Sequence, residues 1–395
     1  MYLKKLFPIL TLGILMLISP LGRAVELGGV DFRGSGFLTL AAGATLNGGA
    51  AQPSSGFNCP CFVSDFAQTG MYQQGGVQWR PDTKLGLQGS AVFNPRFSVT
   101  GQVVARGAAG GQLDFEWLYA DWKLSDELTL QVGRKRLPLL SYSESQDLGM
   151  SYPWVHLAPQ MYGWEIVNYN GVNVLYRDDW GDWSSSMNFF AGDETVKNSG
   201  YWKIYNGANT RTDSRWSNIL GADLVLNRDW FTSRLMYLQS NIQNTNPFST
   251  TPLAFNTKTA QNLYGISLNA DAEHWVARAE FLYINRKASY GEDFSEVYGL
   301  GYRIGKWLPM LTYNNYHMVQ RLDVAAGLDP SQSEAHSTTS LLLRYELDNS
   351  SALKLQYDRW KNNAQMPFFT AKSNTNTSIP MGHLDLLTAS YDLAF

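Results

Sequence analysis

"SALKLQYDRW", residues 351–360, alternates without a break. Leu353, Leu355 and Tyr357 fall on one side of an extended chain; Lys354, Gln356 and Asp358 fall on the other. Successive side chains of a β-strand point to opposite faces, so this stretch reads as a strand with one greasy and one polar face. The same split recurs elsewhere. In "FSVTGQVVAR" (97–106) Phe97, Val99, Gly101, Val103 and Ala105 oppose Ser98, Thr100, Gln102, Val104 and Arg106. In "EHWVARAEFLYINR" (273–286) Trp275, Ala277, Ala279, Phe281 and Tyr283 oppose Arg278 and Glu280, and in "TTSLLLRYEL" (338–347) Leu341, Leu343, Tyr345 and Leu347 oppose Ser340, Arg344 and Glu346.

Extending this reading along the chain predicts strands over 33–46, 84–93, 96–106, 112–123, 128–135, 165–177, 183–192, 217–226, 230–240, 261–270, 275–287, 293–304, 307–318, 336–347, 352–360 and 382–395. Short connectors such as "NP" (94–95), "NRD" (227–229) and "GK" (305–306) alternate with longer ones, among them 47–83, 137–164 and 193–216. Both chain ends then lie on the short-turn side. An even set of about 16 antiparallel strands, short turns at one end and long loops at the other, is the pattern of an all-β transmembrane barrel with periplasmic turns and extracellular loops. Lipid offers no hydrogen bonds, so a sheet that spans it must close on itself. Sixteen strands leave a water-filled channel rather than a filled interior. Trp122, Trp180, Trp183, Trp230, Trp275 and Trp307 all fall at or near predicted short turns, where aromatic rings prefer the membrane–water interface. A secreted β-sandwich would keep its tryptophans for a core.

The N-terminal "MYLKKLFPILTLGILMLISPLGRA" has a charged start at Lys4-Lys5, an apolar run and small residues before the end of Ala24. It reads as a signal peptide over 1–24, leaving 25–395 as the barrel. The apolar run is short for a membrane span, and no later stretch approaches a transmembrane helix. Removing the leader leaves 28 basic against 34 acidic residues, about −6, which is no nucleic-acid footprint. The two cysteines, Cys59 and Cys61 in "NCPCF", suit a local disulfide in an exported chain; free thiols are the alternative, and two thiols without a nearby His are half a metal site. No metal and no cofactor is expected. The five histidines (156, 274, 317, 336, 383) are scattered and no nucleophile motif accompanies them, so an outer-membrane enzyme is the weaker reading. About 371 mature residues cannot supply the 22 strands and plug of a large transporter.

Two motifs add a family resemblance. The chain ends "LDLLTASYDLAF" (384–395), alternating through Tyr391 to a terminal Phe395, which resembles the C-terminal assembly signal of bacterial outer-membrane porins. "LQVGRKRLP" (130–138) is similar to the Gly-Arg-x ending that general porins place before their third long loop, at Gly133-Arg134 here. The resemblance is to sixteen-stranded, usually trimeric Gram-negative porins. It implies a third loop, 137–164, that folds inward and narrows the channel, partners in the barrel-assembly machinery, lipid and lipopolysaccharide, and a homotrimer. The aromatic and Ser-rich loop departs from the compact acidic loop tip that general porins often carry.

A pore works through radius, lining charge and field. On the loop the only acids are Glu144 and Asp147. Parity points Lys135 into the lumen and Arg134 and Arg136 outward, with register open to a shift after Gly133. The outward arginines would suit lipopolysaccharide phosphates. On the wall Arg106, Arg278, Glu280, Arg303, Arg344 and Lys354 point inward by parity, so that a basic wall facing acidic loop residues would make a transverse field. Such a pore passes small hydrophilic solutes and ions by passive diffusion. Tyr142, Tyr152, Trp154, Tyr162 and Trp164 allow a second reading, a substrate-selective channel with an aromatic shelf for sugars or aromatic solutes; packing against the wall is the simpler use of the same rings.

Overall fold

The computed structural model describes residues 25–47, 52–54, 56–248, 255–286, 291–319, 334–363, 370–372, 378–380 and 382–395; the leader expected at 1–24 lies outside them. Sixteen strands form one antiparallel barrel, and a short seventeenth strand, Val25–Leu27, folds back on Val30–Phe32 in the same sheet. The first eight of the sixteen are β1 (Val30–Thr45), β2 (Lys84–Asn94), β3 (Phe97–Arg106), β4 (Leu113–Lys123), β5 (Leu128–Arg136), β6 (Asn168–Trp180), β7 (Trp183–Val196) and β8 (Asp213–Arg228). The second half comprises β9 (Phe231–Thr245), β10 (Thr259–Ala272), β11 (Trp275–Arg286), β12 (Glu292–Tyr302), β13 (Trp307–Val319), β14 (Ala335–Glu346), β15 (Ser351–Asn362) and β16 (His383–Ala394). Every strand read from alternation is present. The largest differences are at the long-loop ends of β7, β8 and β9, which run four or five residues past their predicted limits. There Asp213, Arg215, Gln243 and Asn244 carry no hydrophobic signal, yet the ladder continues from Asp213↔Thr245 through Ser217↔Asn241.

Closure is made by β1. Its first half pairs with β2 (Asp31↔Val92 to Thr39↔Lys84) and its second half with β16 (Phe37↔Ala394 to Thr45↔Leu386). The terminal residue completes the seam: Phe395 N–H donates to Gly36 O at 2.9 Å and Gly36 N–H to Phe395 O at 2.7 Å. The Phe395 ring lies so close to Gly36 that a Cβ there would sit 2.6 Å from it, so a larger residue would have to push the terminal ring aside. With both edges consumed, no strand edge is left to lipid.

The alternation sorts as read. Leu353 and Leu355 are exposed on the outside, whereas Lys354, Gln356 and Asp358 are buried inside. Leu341, Leu343, Leu300, Leu311, Ile266 and Val174 continue the outer apolar belt. Trp122, Trp180, Trp230, Trp275 and Trp307 are exposed at the short-turn rim, the position of an interfacial girdle.

Candidate functional site

The loop from β5 to β6 leaves the wall at Leu137, whose N–H still reaches Val167 O at 2.9 Å. The departure is prepared by Gly133, held at φ +141° where a Cβ would lie 2.2 Å from Leu118 O. Pairing with β6 nevertheless runs on in register, from Gly133↔Gly171 to Arg136↔Asn168, where the strand ends. Lys135 points inward, donating to Gln131 and lying 5.1 Å over the Tyr119 ring. Arg136 also turns inward, against expectation: it is 2% exposed and ion-pairs with Asp147 and with Glu116 at 3.0 Å. Arg134 instead reaches Glu194 and Phe115 O.

Within the lumen the loop is bonded to wall strands far from β5. Arg106 donates to Asp147 through Nε at 3.0 Å and Nη2 at 2.6 Å, and meets Glu116 at 2.7 Å. Arg234 on β9 grips Glu144 and also pairs with Asp223 at 3.0 Å. Arg278 Nε donates to Tyr142 Oη at 2.7 Å, and Tyr162 Oη donates to Glu280 at 2.5 Å. Trp154 Nε1 donates to Thr312 Oγ1 at 2.8 Å and Val155 N–H to Gln356 Oε1 at 2.8 Å. Arg344 and Lys354 bind backbone carbonyls of the segment 149–154. His156 stands between Asp82, which precedes β2, at 3.2 Å and Asp358 on β15 at 3.4 Å.

These partners set the loop's charge states. Burial alone would raise the Asp147 and Glu144 carboxyls; the guanidiniums of Arg106 and Arg136 on the one, and of Arg234 on the other, hold both below their ordinary values. Burial likewise opposes charge on His156, but Asp82 and Asp358 outweigh it and lift the imidazolium to about 10.

The expected open field, basic wall against acidic loop, is therefore closed into ion pairs. Arg303 takes no part: it lies in the β12–β13 turn, is 47% exposed, and its nearest charge is Asp271 at 3.9 Å. The cause is that β12 ends at Tyr302, so strand parity no longer governs the next side chain. Tyr142, Tyr152 and Trp154 are buried, with ring centroids 6.0 Å apart for Tyr142–Tyr152 and 5.8 Å for Tyr142–Trp154.

Sequence alternation also missed how apolar part of the inner wall is. Phe190, Trp216, Leu238, Ile242, Leu263 and Ile284 face inward and are 2% exposed or less. Leu139 and Leu140 of the loop join this inner core. Outer segments join it as well: Phe66, from the region 47–83, packs on Tyr201 (5.9 Å) and Tyr205 (6.2 Å) of the helix α1 (Gly200–Asn206) between β7 and β8. Burying such side chains contributes about 1.5–3 kcal/mol each, enough to hold loops inside a barrel. The signal was in the sequence as the apolar partners within the long connectors, but nothing local says that they pack inward. Polar side chains line β2–β5 instead, in cross-strand pairs such as Gln102–Gln88 (3.0 Å), Ser90–Thr100 (2.9 Å) and Gln131–Asp121 (2.6 Å). Among the described residues, Lys135 beside them has no carboxylate within ion-pair distance. Cavities of ≈ 30 Å³ remain beside Trp154 and His156 and beside Asp147 and Lys84, and one of ≈ 730 Å³ opens between Met150, Arg344 and the short turns.

Cys59 and Cys61 lie with their Cα atoms 4.4 Å apart, within the reach of the local disulfide read from the sequence. Among the described residues no group of three or more His, Cys, Asp or Glu is placed to hold a metal ion.

No family model matches the chain, and no curated protein matches it in sequence. Solved structures do match in fold. The outer-membrane channel DcaP of Acinetobacter baumannii aligns at TM-score 0.58 and 13% identity, over 95% of this chain and 100% of that one. Salmonella typhi OmpF, solved with daunomycin, aligns at 0.56 and 12%, over 94% and 100%. The anion-selective porin of Comamonas acidovorans aligns at 0.55 and 11%, over 93% and 100%. The chain thus shares the closed sixteen-stranded fold of these outer-membrane porins. At these identities the likeness is one of fold.

Proposed function

We propose that this protein is an outer-membrane porin whose third loop, 137–164, forms the constriction of a channel for small hydrophilic solutes and ions. The observation that carries the reading is a loop rooted at β5 and bonded to β9, β11, β13, β14 and β15 from inside a barrel with a lipid-type exterior. The passage is narrow, because ion pairs and packed rings fill much of the lumen. The polar wall of β2–β5, with Lys135 beside it, is the side left for water and solute. A binding shelf of loop aromatics has less support, since Tyr142, Tyr152 and Trp154 present no open ring face. An enzyme has less still: His156 is held between two carboxylates and, among the described residues, makes no hydrogen bond to a hydroxyl or thiol. Proteoliposomes carrying the purified protein should swell in small sugars and polyols and exclude larger ones; swelling no faster than empty liposomes would reject the channel.

A homotrimer is part of the same proposal. The wall is lowest at β2–β5, where strands have 9–11 residues against 14–16 in β7–β10. Its outer face there carries Gly89, Ala91, Val99, Gly101 and Ala105, a low-relief stripe on which another barrel could pack. OmpT of Vibrio cholerae, similar in fold at TM-score 0.53 and 9% identity, has been described in a trimer form. Mass measurement of the detergent-solubilised protein would decide between three chains and one. Lipopolysaccharide at the outer rim and delivery by the barrel-assembly machinery through the Tyr391–Phe395 terminus belong to this proposal too.

A further inference from the structure

Arg344 and Lys354 are direct cross-strand partners on β14 and β15. Like charges placed opposite each other in a sheet repel, so the pair needs a counterweight. Carboxylates supply part of it: Glu346 binds Arg344 at 2.7 Å and Asp392 binds Lys354 at 3.0 Å. The rest comes from the loop backbone. Lys354 Nζ donates to Gly149 O at 2.6 Å and to Trp154 O at 2.7 Å. Arg344 Nη1 donates to Tyr152 O at 2.7 Å, and both Nη atoms reach Met150 O at 3.3 Å.

An ammonium has three N–H donors. Here two serve the loop and one serves Asp392, and the Lys354 side chain is 0% exposed. Arg344 is likewise committed, at 9%. Cations in this state have nothing left for a passing anion, so they do not act as an open charged wall. Charge-assisted bonds to carbonyls are stronger than neutral ones, and four carbonyls within six residues fix a segment's path more firmly than any single side-chain contact.

We propose that Arg344 and Lys354 are positioning residues: a two-cation clamp that binds the loop at Gly149, Met150, Tyr152 and Trp154 and thereby sets the width of the constriction. This rests on the channel reading above. The clamp acts on the loop, and the loop acts on the solute. The segment it holds also borders the ≈ 730 Å³ vestibule, so its release would enlarge the path on the short-turn side.

The test is single-channel recording of Lys354→Met and of Lys354→Met/Asp392→Asn, with barrel folding checked by heat-modifiable gel migration. The double variant removes the carboxylate that the single one leaves buried and unpaired. The clamp predicts larger or noisier open-channel current in both, with little change in reversal potential, and partial recovery in Lys354→Arg. Two results would overturn it: wild-type current in the double variant, which would make Lys354 only the partner of Asp392, or a shifted reversal potential at unchanged conductance, which would make it a field residue. Absence of conductance in the unsubstituted protein would instead strike at the channel reading itself. If neither variant folds, Arg344→Gln, which can still donate to a carbonyl, should show intermediate current noise; wild-type current there counts against the clamp.

Discussion

Arg234 on β9 holds Glu144 of the loop with two parallel hydrogen bonds, Nη1 to Oε2 and Nη2 to Oε1, each 2.7 Å. This fork converts one of the two acids on the loop from a free lumen charge into a tether. Removing one partner of a buried pair costs about 3–5 kcal/mol, because the other is left uncompensated. Glu144 is 40% exposed, so solvent relieves part of that. Arg234→Ala is expected to lower the thermal unfolding temperature and raise current noise, while Glu144→Gln, which keeps a hydrogen-bonding carbonyl, should do less. Wild-type unfolding temperature and current noise in both variants would show that the fork itself contributes nothing.

The two acids of the loop share a pH signature. Glu144 and Asp147 both have carboxyls depressed below their ordinary values, 4.5 and 3.8. A depressed carboxyl stabilises the folded state above its unfolded value, and that contribution is lost as pH falls through the folded one. Loop anchoring should therefore persist at pH 5 and weaken only in strong acid. A conductance transition centred above pH 5 and abolished by Glu144→Gln would contradict this.

His156 has the opposite sign. Its value is raised to about 10 from 6.5, so its contribution is complete below 6.5 and is lost as pH rises through about 10. At pH 8 nitrogen NMR should report a doubly protonated ring bridging Asp82 and Asp358. A ring that is neutral at pH 8 would mean that the bridge is not formed.

The aromatic packing at the outer mouth gives a fourth expectation. Phe66 is 3% exposed against Tyr201 and Tyr205. Truncating a buried Phe costs about 3–5 kcal/mol when the site cannot collapse. Phe66→Ala should loosen region 47–83 from α1 and increase conductance without altering the barrel's folded yield. Unchanged conductance would show that solutes pass elsewhere.

The barrel was legible because its two faces repeat every second residue, and lipid keeps the outer one largely apolar. Leu353 and Lys354 could be assigned to opposite faces from sequence alone. The lumen carries no such rule. Nothing near Trp154 announces Thr312 as its partner, 158 residues away, and nothing in the inner face of β9 distinguishes a solvated Leu238 from one covered by a loop. Parity did place Arg106, Arg278, Glu280, Arg344 and Lys354 on the inner side; it failed for Arg136, the last residue of β5, which turns in to Glu116 and Asp147, and for Arg303, which lies beyond the strand end. What the inward charges do was misread, because a field and a set of ion pairs have the same sequence signature.

In planar bilayers the purified protein should give discrete single-channel current steps that scale with salt concentration, small for a sixteen-stranded barrel, and larger once the loop segment 141–156 is shortened. A correctly folded barrel that gives no steps above the bare bilayer, with and without that segment, would contradict the channel reading.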